Sequence, residues 1–224
     1  MTYEETLHYL YTSIPVFQRS GASAYKPGLD TSIALDNYLE NPHKAYKTIH
    51  VAGTNGKGSV SHLLAAILHQ AGYKVGLFTS PHLIDFRERI RVNGKMIPKE
   101  YVIDFVERHR TTFEPLHPSF FELTSTMAFD YFRAEEVDFA IIEVGMGGRL
   151  DSTNIITPIL SIITNISLDH TQFLGDTVEK IAFEKAGIIK QNVPLVFDGS
   201  SPEASEVIRR QAETKGAECR EITK

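Results

Sequence analysis

The sequence predicts an α/β fold, a mostly parallel sheet with helices on both faces. Three observations predict it. From residue 48 onward, short apolar segments alternate with longer amphipathic ones. Strands are expected at 48–52, which is mostly apolar, and at 74–78, and the segments 139–144, 159–163 and 195–197 are rich in branched residues and do not alternate apolar with polar, as expected of strands buried on both faces. The first of them ends in a glycine-rich turn that opens a helix.

The elements follow in order. The first fourteen residues read as a helix, with Leu7, Leu10, Tyr11 and Ile14 on one face and Pro15 ending it. Two glycines and Pro27 make 21–30 a loop. A second short helix at 31–40 is opened by Asp30 or Thr31 and stopped near Asn41-Pro42. A helix at 60–70 stops at Gly72. Asn93-Gly94 joins 90–92 to 95–97 as a hairpin, because both turn positions need positive φ. Helices are expected at 99–112, 119–134, 177–188 and 202–214, and a last strand at 218–222. A sheet ending on that strand would lack a covering element, so the chain is expected to be part of a longer protein.

Composition narrows the function classes. A chain of 224 residues accommodates one large domain or two small ones. Hydrophobic content of 42% with 23% charged residues is that of a soluble globular protein. A net charge of -5, with both signs interspersed, argues against a nucleic-acid surface. Cys219 is the single cysteine, which excludes an intrachain disulfide and a cysteine-only metal site. The N-terminus has no basic region followed by an apolar stretch, and no apolar run reaches the roughly 18 residues of a membrane span. A cytoplasmic monomer is the expectation.

In parallel sheets, ligands bind beyond the C-terminal ends of the strands. After 48–52 comes Gly53-Thr54-Asn55-Gly56-Lys57-Gly58-Ser59. Its glycines let backbone N–H groups face phosphate oxygens, Lys57 can reach the β- and γ-phosphates, and the Ser59 hydroxyl can ligate Mg²⁺. The spacing departs from the standard phosphate loop, since Gly58 intervenes between lysine and serine. A glycine-rich turn without ligand is the alternative. Thr79-Ser80-Pro81-His82 ends the second strand, and Glu143 ends the third, where a carboxylate suits Mg²⁺ or a salt bridge. After the fourth come Thr164-Asn165 and Asp169-His170, where Asp169 could orient a metal-binding His170 or the histidine could be an ordinary surface residue. Lys185 falls inside a predicted helix, and nothing in its spacing separates it from a solvated lysine.

Taken together, the segments 53–59, Thr79–His82 with 88–92, 143–151 (Glu-Val-Gly-Met-Gly-Gly-Arg-Leu-Asp), Leu168-Asp169-His170 and Glu184-Lys185-Ala186-Gly187 resemble, in this order, the folylpolyglutamate and dihydrofolate synthases of the Mur ligase family. The resemblance runs from about Tyr3 to the end. It implies a P-loop-type Mur ligase central domain over 1–224, C-terminally incomplete, with a small hairpin insertion. It implies ATP and two Mg²⁺ as cofactors, and folate or dihydropteroate and L-glutamate as substrates. Residues 53–59 would bind the nucleotide. Ser59, Ser80, Glu143 and His170 would be Mg²⁺ ligands, and Lys57, His170 and a carbamylated Lys185 would serve catalysis. The segments 21–31, 80–91 and 119–125 would line the pterin cleft, with Pro81, His82, Phe121, Glu122, Leu150, Asp151 and Ser152 at the substrate. For Phe120 and Phe121 plain core packing is an equal reading. Three alternatives stand beside a folate ligase: a Mur-type ligase for another acid, a small-molecule kinase sharing only the loop, and a nucleotide-binding fragment without catalysis.

Overall fold

The computed structural model describes residues 1–14 and 28–223. Pro15 and most of the 21–31 segment lie outside the described residues. Eight strands form one sheet in the order β4-β3-β2-β5-β1-β6-β7-β8. They are β1 (Lys47–Ala52), β2 (Val75–Phe78), β3 (Ile90–Val92), β4 (Lys95–Met96), β5 (Phe139–Glu143), β6 (Leu160–Ile163), β7 (Leu195–Asp198) and β8 (Cys219–Ile222). The six strands from β2 to β8 pair in parallel, and the hairpin β3–β4 adds to the β2 edge antiparallel.

The helices are α1 (Tyr3–Thr12), α2 (Asp30–Tyr38), α3 (Lys57–Gln70), α4 (Lys99–Phe113), α5 (Phe120–Ala134), α6 (Thr171–Leu174), α7 (Val178–Ala186) and α8 (Pro202–Thr214). Most bounds agree with the apolar periodicity to within two residues. Helix α3 is the exception and starts three residues before the expected 60, because Gly56 takes a left-handed φ of 84° and turns the loop straight into the helix. The short α6 and the four 3-10 turns among the described residues carry no periodic pattern to read. The hairpin is as expected, with φ of 49° at Asn93 and 76° at Gly94. Asn93 also accepts the Val75 N–H on its side chain at 2.8 Å and donates its own N–H to Val75 O at 2.9 Å, fixing the turn to the edge of β2.

Successive strand residues face opposite sides, so the sheet sorts its side chains into two layers. On one face Phe78, Ala140 and Ile142 join a core built with α1, α2, α4 and α5. On the same face Ala52, Ile163, Leu195 and Phe197 join a second core under α7 and α8. Between these two apolar clusters lie His50 and Ser161, paired across β1 and β6 and both fully buried. The opposite face holds Ile49, Val51, Val75, Leu77 and Ile141 under α3. Beyond α3 that face thins: Leu160, Ile162 and Val196 are half-buried, so β6 and β7 alternate in burial. The sequence reading of these two strands as buried on both faces is corrected here. Their composition is apolar throughout, but no helix among the described residues covers the second side.

Candidate active site

β1 is flanked by β5 and β6, which gathers the ends of β1, β2, β5 and β6 at one edge of the sheet. The loop after β1 lies at the centre of that edge. Gly53 has φ 146°, and a Cβ there would come within 1.8 Å of Thr164 Oγ1. Only glycine fits, because the segment after β6 presses against the loop. Thr54 donates its N–H to Asn165 O at 2.7 Å, and Thr164 Oγ1 donates to Asn55 O at 2.7 Å. Asn165 Oδ1 accepts both the backbone N–H and the side-chain amide of Asn55, at 3.2 and 3.3 Å. Thr54 Oγ1 donates to Ser167 O and accepts the Ser167 N–H, each at 3.1 Å. Thr164, Asn165 and Ser167 therefore brace the loop. The sequence placed Thr164-Asn165 at the ligand edge but gave no signal of this task, which depends on β6 lying beside β1.

Two lysines converge on one carbonyl. Lys57 Nζ donates to Gly53 O at 3.0 Å and to Thr54 O at 3.2 Å. Lys185 Nζ donates to the same Gly53 O at 2.8 Å. Lys185 is only 3% exposed, against the solvated lysine that its helix position allowed. Burial first, and then the nearby Lys57 charge, lower its pKa to about 8. What delivers Lys185 there is the close contact of the 143–151 loop with the end of α7. A Cβ at Gly148 would lie 2.8 Å from the carbonyl oxygens of Glu184 and Lys185, and one at Gly187 would lie 2.3 Å from Arg149 Cβ. Arg149 closes this contact by pairing with Glu184 at 2.8 Å.

Glu143 is buried at the end of β5, and one of its oxygens accepts the Ser80 N–H at 2.9 Å. Both oxygens face the start of α3, where a Cβ at Gly58 would sit 3.7 and 3.8 Å from them. Burial pushes the carboxyl above its ordinary pKa, while the Ser80 N–H and Lys57 pull it down. A half-compensated carboxylate beside a phosphate loop fits a hard divalent cation such as Mg²⁺, which takes oxygen donors. Ser59 is exposed on the first turn of α3, and Ser80 is half-buried. His170 stands exposed at the start of α6 with φ 47°, its Nε2 3.6 Å from Asp169. Among the described residues no three His, Cys, Asp or Glu side chains converge on one point. The metal reading therefore rests on Glu143 and the serine hydroxyls together with His170.

The residues expected at the substrate divide into two groups. Pro81 is exposed, and His82, Phe121 and Leu150 are half-buried. His82 Nδ1 accepts Arg89 Nε–H at 2.7 Å, which leaves Nε2 as the protonated nitrogen facing Tyr11 OH at 3.1 Å. Burial and the Arg89 charge lower the His82 pKa. Arg89 is itself buried, its guanidinium 5.2 Å over the Phe120 ring. Phe120 is 4% exposed and stacks on Tyr11 at 5.3 Å, so the core-packing reading describes it.

The second group is occupied internally. Glu122 accepts the Ser119 N–H at 2.6 Å while Ser119 Oγ accepts the Glu122 N–H at 3.2 Å, a capping box opening α5. The Asp151 carboxylate accepts the N–H groups of Gly145, Met146 and Thr153 at 2.9–3.0 Å and the Thr153 hydroxyl. Ser152 Oγ meets Ser125 Oγ at 3.3 Å. The capping-box spacing of Ser119 and Glu122 was readable in the sequence; the bonds of Asp151 were not.

The chain is similar to known proteins over most of its length. The Mur ligase middle domain family matches residues 51–218. The chain is 46% identical over 199 residues to a dihydrofolate synthase/folylpolyglutamate synthase of Bacillus subtilis, covering 86% of this chain and 46% of that protein. It is 42% identical to the folylpolyglutamate synthase of Thermotoga maritima, whose crystal structure superposes with a TM-score of 0.88 over 98% of this chain and 49% of the other. It is 37% identical to FPGS in a complex with AMPPCP and folate, with a TM-score of 0.90 over 99% of this chain and 54% of the other. The chain spans about half the length of the relatives it matches. With a phosphate loop, a buried carboxylate and a buried lysine meeting at one sheet edge, and with three-quarters of its length in the matched region, the chain belongs to the Mur ligase middle domain family.

Proposed function

We propose that residues 1–224 are the ATP-binding domain of a ligase that adds L-glutamate to folate, and also to dihydropteroate if the whole protein is bifunctional. One observation carries the reading: Lys57 and Lys185 meet at the Gly53 carbonyl. The similarity to folylpolyglutamate and dihydrofolate synthases supports the choice of acceptor. A carboxylate is a poor electrophile and needs activation. The γ-phosphoryl group of ATP passes to the acceptor carboxylate to give an acyl phosphate, the amine of L-glutamate attacks the carbonyl carbon, and phosphate leaves. Within the loop 53–59, the N–H groups of Gly56 to Ser59 at the α3 N-terminus and Lys57 hold the phosphates and neutralise charge during transfer, while Thr54 and Asn55 keep the loop in shape through Asn165. Mg²⁺, when bound, shields the phosphate oxygens, and Ser59, Ser80, Glu143 and His170 are the residues that would hold it. Lys185, carbamylated by CO₂, would turn from a cation competing with Lys57 into an anion. Pro81, His82, Phe121 and Leu150 form the acceptor wall, and Glu122, Asp151 and Ser152 shape it from behind. A monomer in the cytoplasm is the default assembly and location; among the described residues no helix is long and apolar enough to cross a membrane.

The test is ATP-dependent incorporation of labelled L-glutamate into tetrahydrofolate and into dihydropteroate. The complete protein should incorporate it, with Lys57→Ala lowering kcat by about 10³-fold or more. The 224-residue chain alone should not. Incorporation into UDP-linked muramyl peptides instead, or phosphorylated product without glutamate, would overturn the folate ligase reading.

A further inference from the structure

His50 lies in the middle of β1, fully buried in the polar seam between the two cores on its face. Its Nε2 is 2.9 Å from Thr153 Oγ1, and its Nδ1 is buried without a hydrogen-bond partner. Thr153 Oγ1 in turn bonds Asp151 Oδ1, which also accepts the Thr153 N–H, while Asp151 Oδ2 accepts Gly145 and Met146. Burial pushes the Asp151 pKa up, and the bonds from Thr153, Met146 and Gly145 pull it down. Three backbone N–H groups that can only donate converge on this carboxylate and favour its ionised form, which accepts the Thr153 hydroxyl hydrogen as the fourth donor. The hydroxyl therefore has only a lone pair left for His50. His50 must donate from Nε2–H, and its Nδ1 must be the bare nitrogen that has no partner.

We propose that His50 is a positioning residue: its Nε2–H orients the Thr153 hydroxyl, and through it the Asp151 carboxylate that anchors the backbone just after Glu143. Donation runs from His50 through Thr153 to Asp151, where it meets the N–H groups of Gly145 and Met146, which donate to the same carboxylate from just beyond the end of β5. Neighbouring bonds tie the same turn to the lysine side of the site. Asn154 Nδ2 donates to Arg149 O and to Gly187 O, each at 3.0 Å, and Lys190 Nζ donates to Asn154 O at 2.9 Å. The His50 assignment does not depend on the ligase reading; only its effect on catalysis rests on it.

The test joins a spectroscopic signature to a rescue. In the ¹⁵N-labelled chain at neutral pH, the His50 imidazole should carry its proton on Nε2, and an Nδ1–H tautomer or an imidazolium would overturn the proposal. Hydrogen exchange at the Gly145 and Met146 amides should quicken about tenfold in His50→Leu and in Thr153→Val, the loss of one buried hydrogen bond. It should return towards wild type in His50→Gln and Thr153→Ser, which keep a donor and a hydroxyl. Unchanged exchange at these two amides in both deletion variants, or no recovery in the conservative ones, would also sink it. If His50→Leu does not fold, the tautomer and the Thr153 pair still decide. In the complete enzyme, His50→Leu should lower kcat more than it raises KM for ATP, with His50→Gln recovering it. A protein without ligase activity would leave the exchange result standing.

Discussion

Lys185 shows what a single residue owes to its surroundings. Its neighbours in sequence, Glu184 and Ala186, give no reason to expect a depressed pKa. Burial and Lys57 bring it to about 8 from an ordinary 10.5. The sign follows from linkage: the group is charged in the unfolded chain up to its higher pKa, so folding is disfavoured progressively as pH falls from about 10.5 through 8, and least so above both values. The neutral amine is the form that reacts with CO₂. Under ¹³CO₂, a carbamate signal at Lys185 should therefore strengthen as pH rises from 7 to 9, and it should vanish in Lys185→Ala. A signal independent of pH over that range would contradict the depressed amine. His50 is a second case, with burial taking its pKa down to about 3, in keeping with a neutral imidazole.

At the scale of elements, α5 is the best example of a helix whose start was legible. Ser119 and Glu122 have the spacing of a capping box, and the hydrophobic run behind them is buried almost throughout. Ser119→Ala should destabilise the chain by about 1 kcal/mol, read as a shift of the urea midpoint with unchanged m value. An effect on folate binding without loss of stability would instead make Glu122 a direct substrate contact. α3 was misread at its start for a physical reason: its first turn is the phosphate loop itself, with no apolar periodicity to mark it. The β6-to-α6 segment was equally opaque, since Thr164 and Asn165 act on residues more than a hundred positions away.

On the scale of the whole molecule, the two faces of the sheet are unequal. α1, α2, α4, α5, α7 and α8 pack on one, and α3 packs on the other. Neighbouring isoleucines in β6 measure the difference. Ile163 is fully buried under α7, and Ile162 is half-buried on the thinly covered face. Ile163→Ala should cost about 2–5 kcal/mol by chemical denaturation, and Ile162→Ala clearly less, because a partly hydrated side chain loses less apolar contact. Equal costs would mean that the second face is as well covered as the first. Strand order is also a whole-molecule property. Alternation predicted parallel strands, but only the placing of β1 between β5 and β6 brings Glu143, Thr164 and the phosphate loop together.

The sequence by itself determined the strands and the longer helices, the parallel character of the sheet, the glycine-rich loop with Lys57, and the placing of Glu143 at the end of a strand and of Ser80 and His170 beyond strand ends. These are local matters: periodicity, turn chemistry and the direction of a strand are written in neighbouring residues. Tertiary structure decided that Lys185 is buried against the Gly53 carbonyl, that Asp151 and Glu122 spend their carboxylates on backbone N–H groups, and that His50 points into a polar seam. Desolvation and hydrogen-bond partners come from segments brought together by the sheet order. A pattern confined to a few consecutive residues carries no record of them.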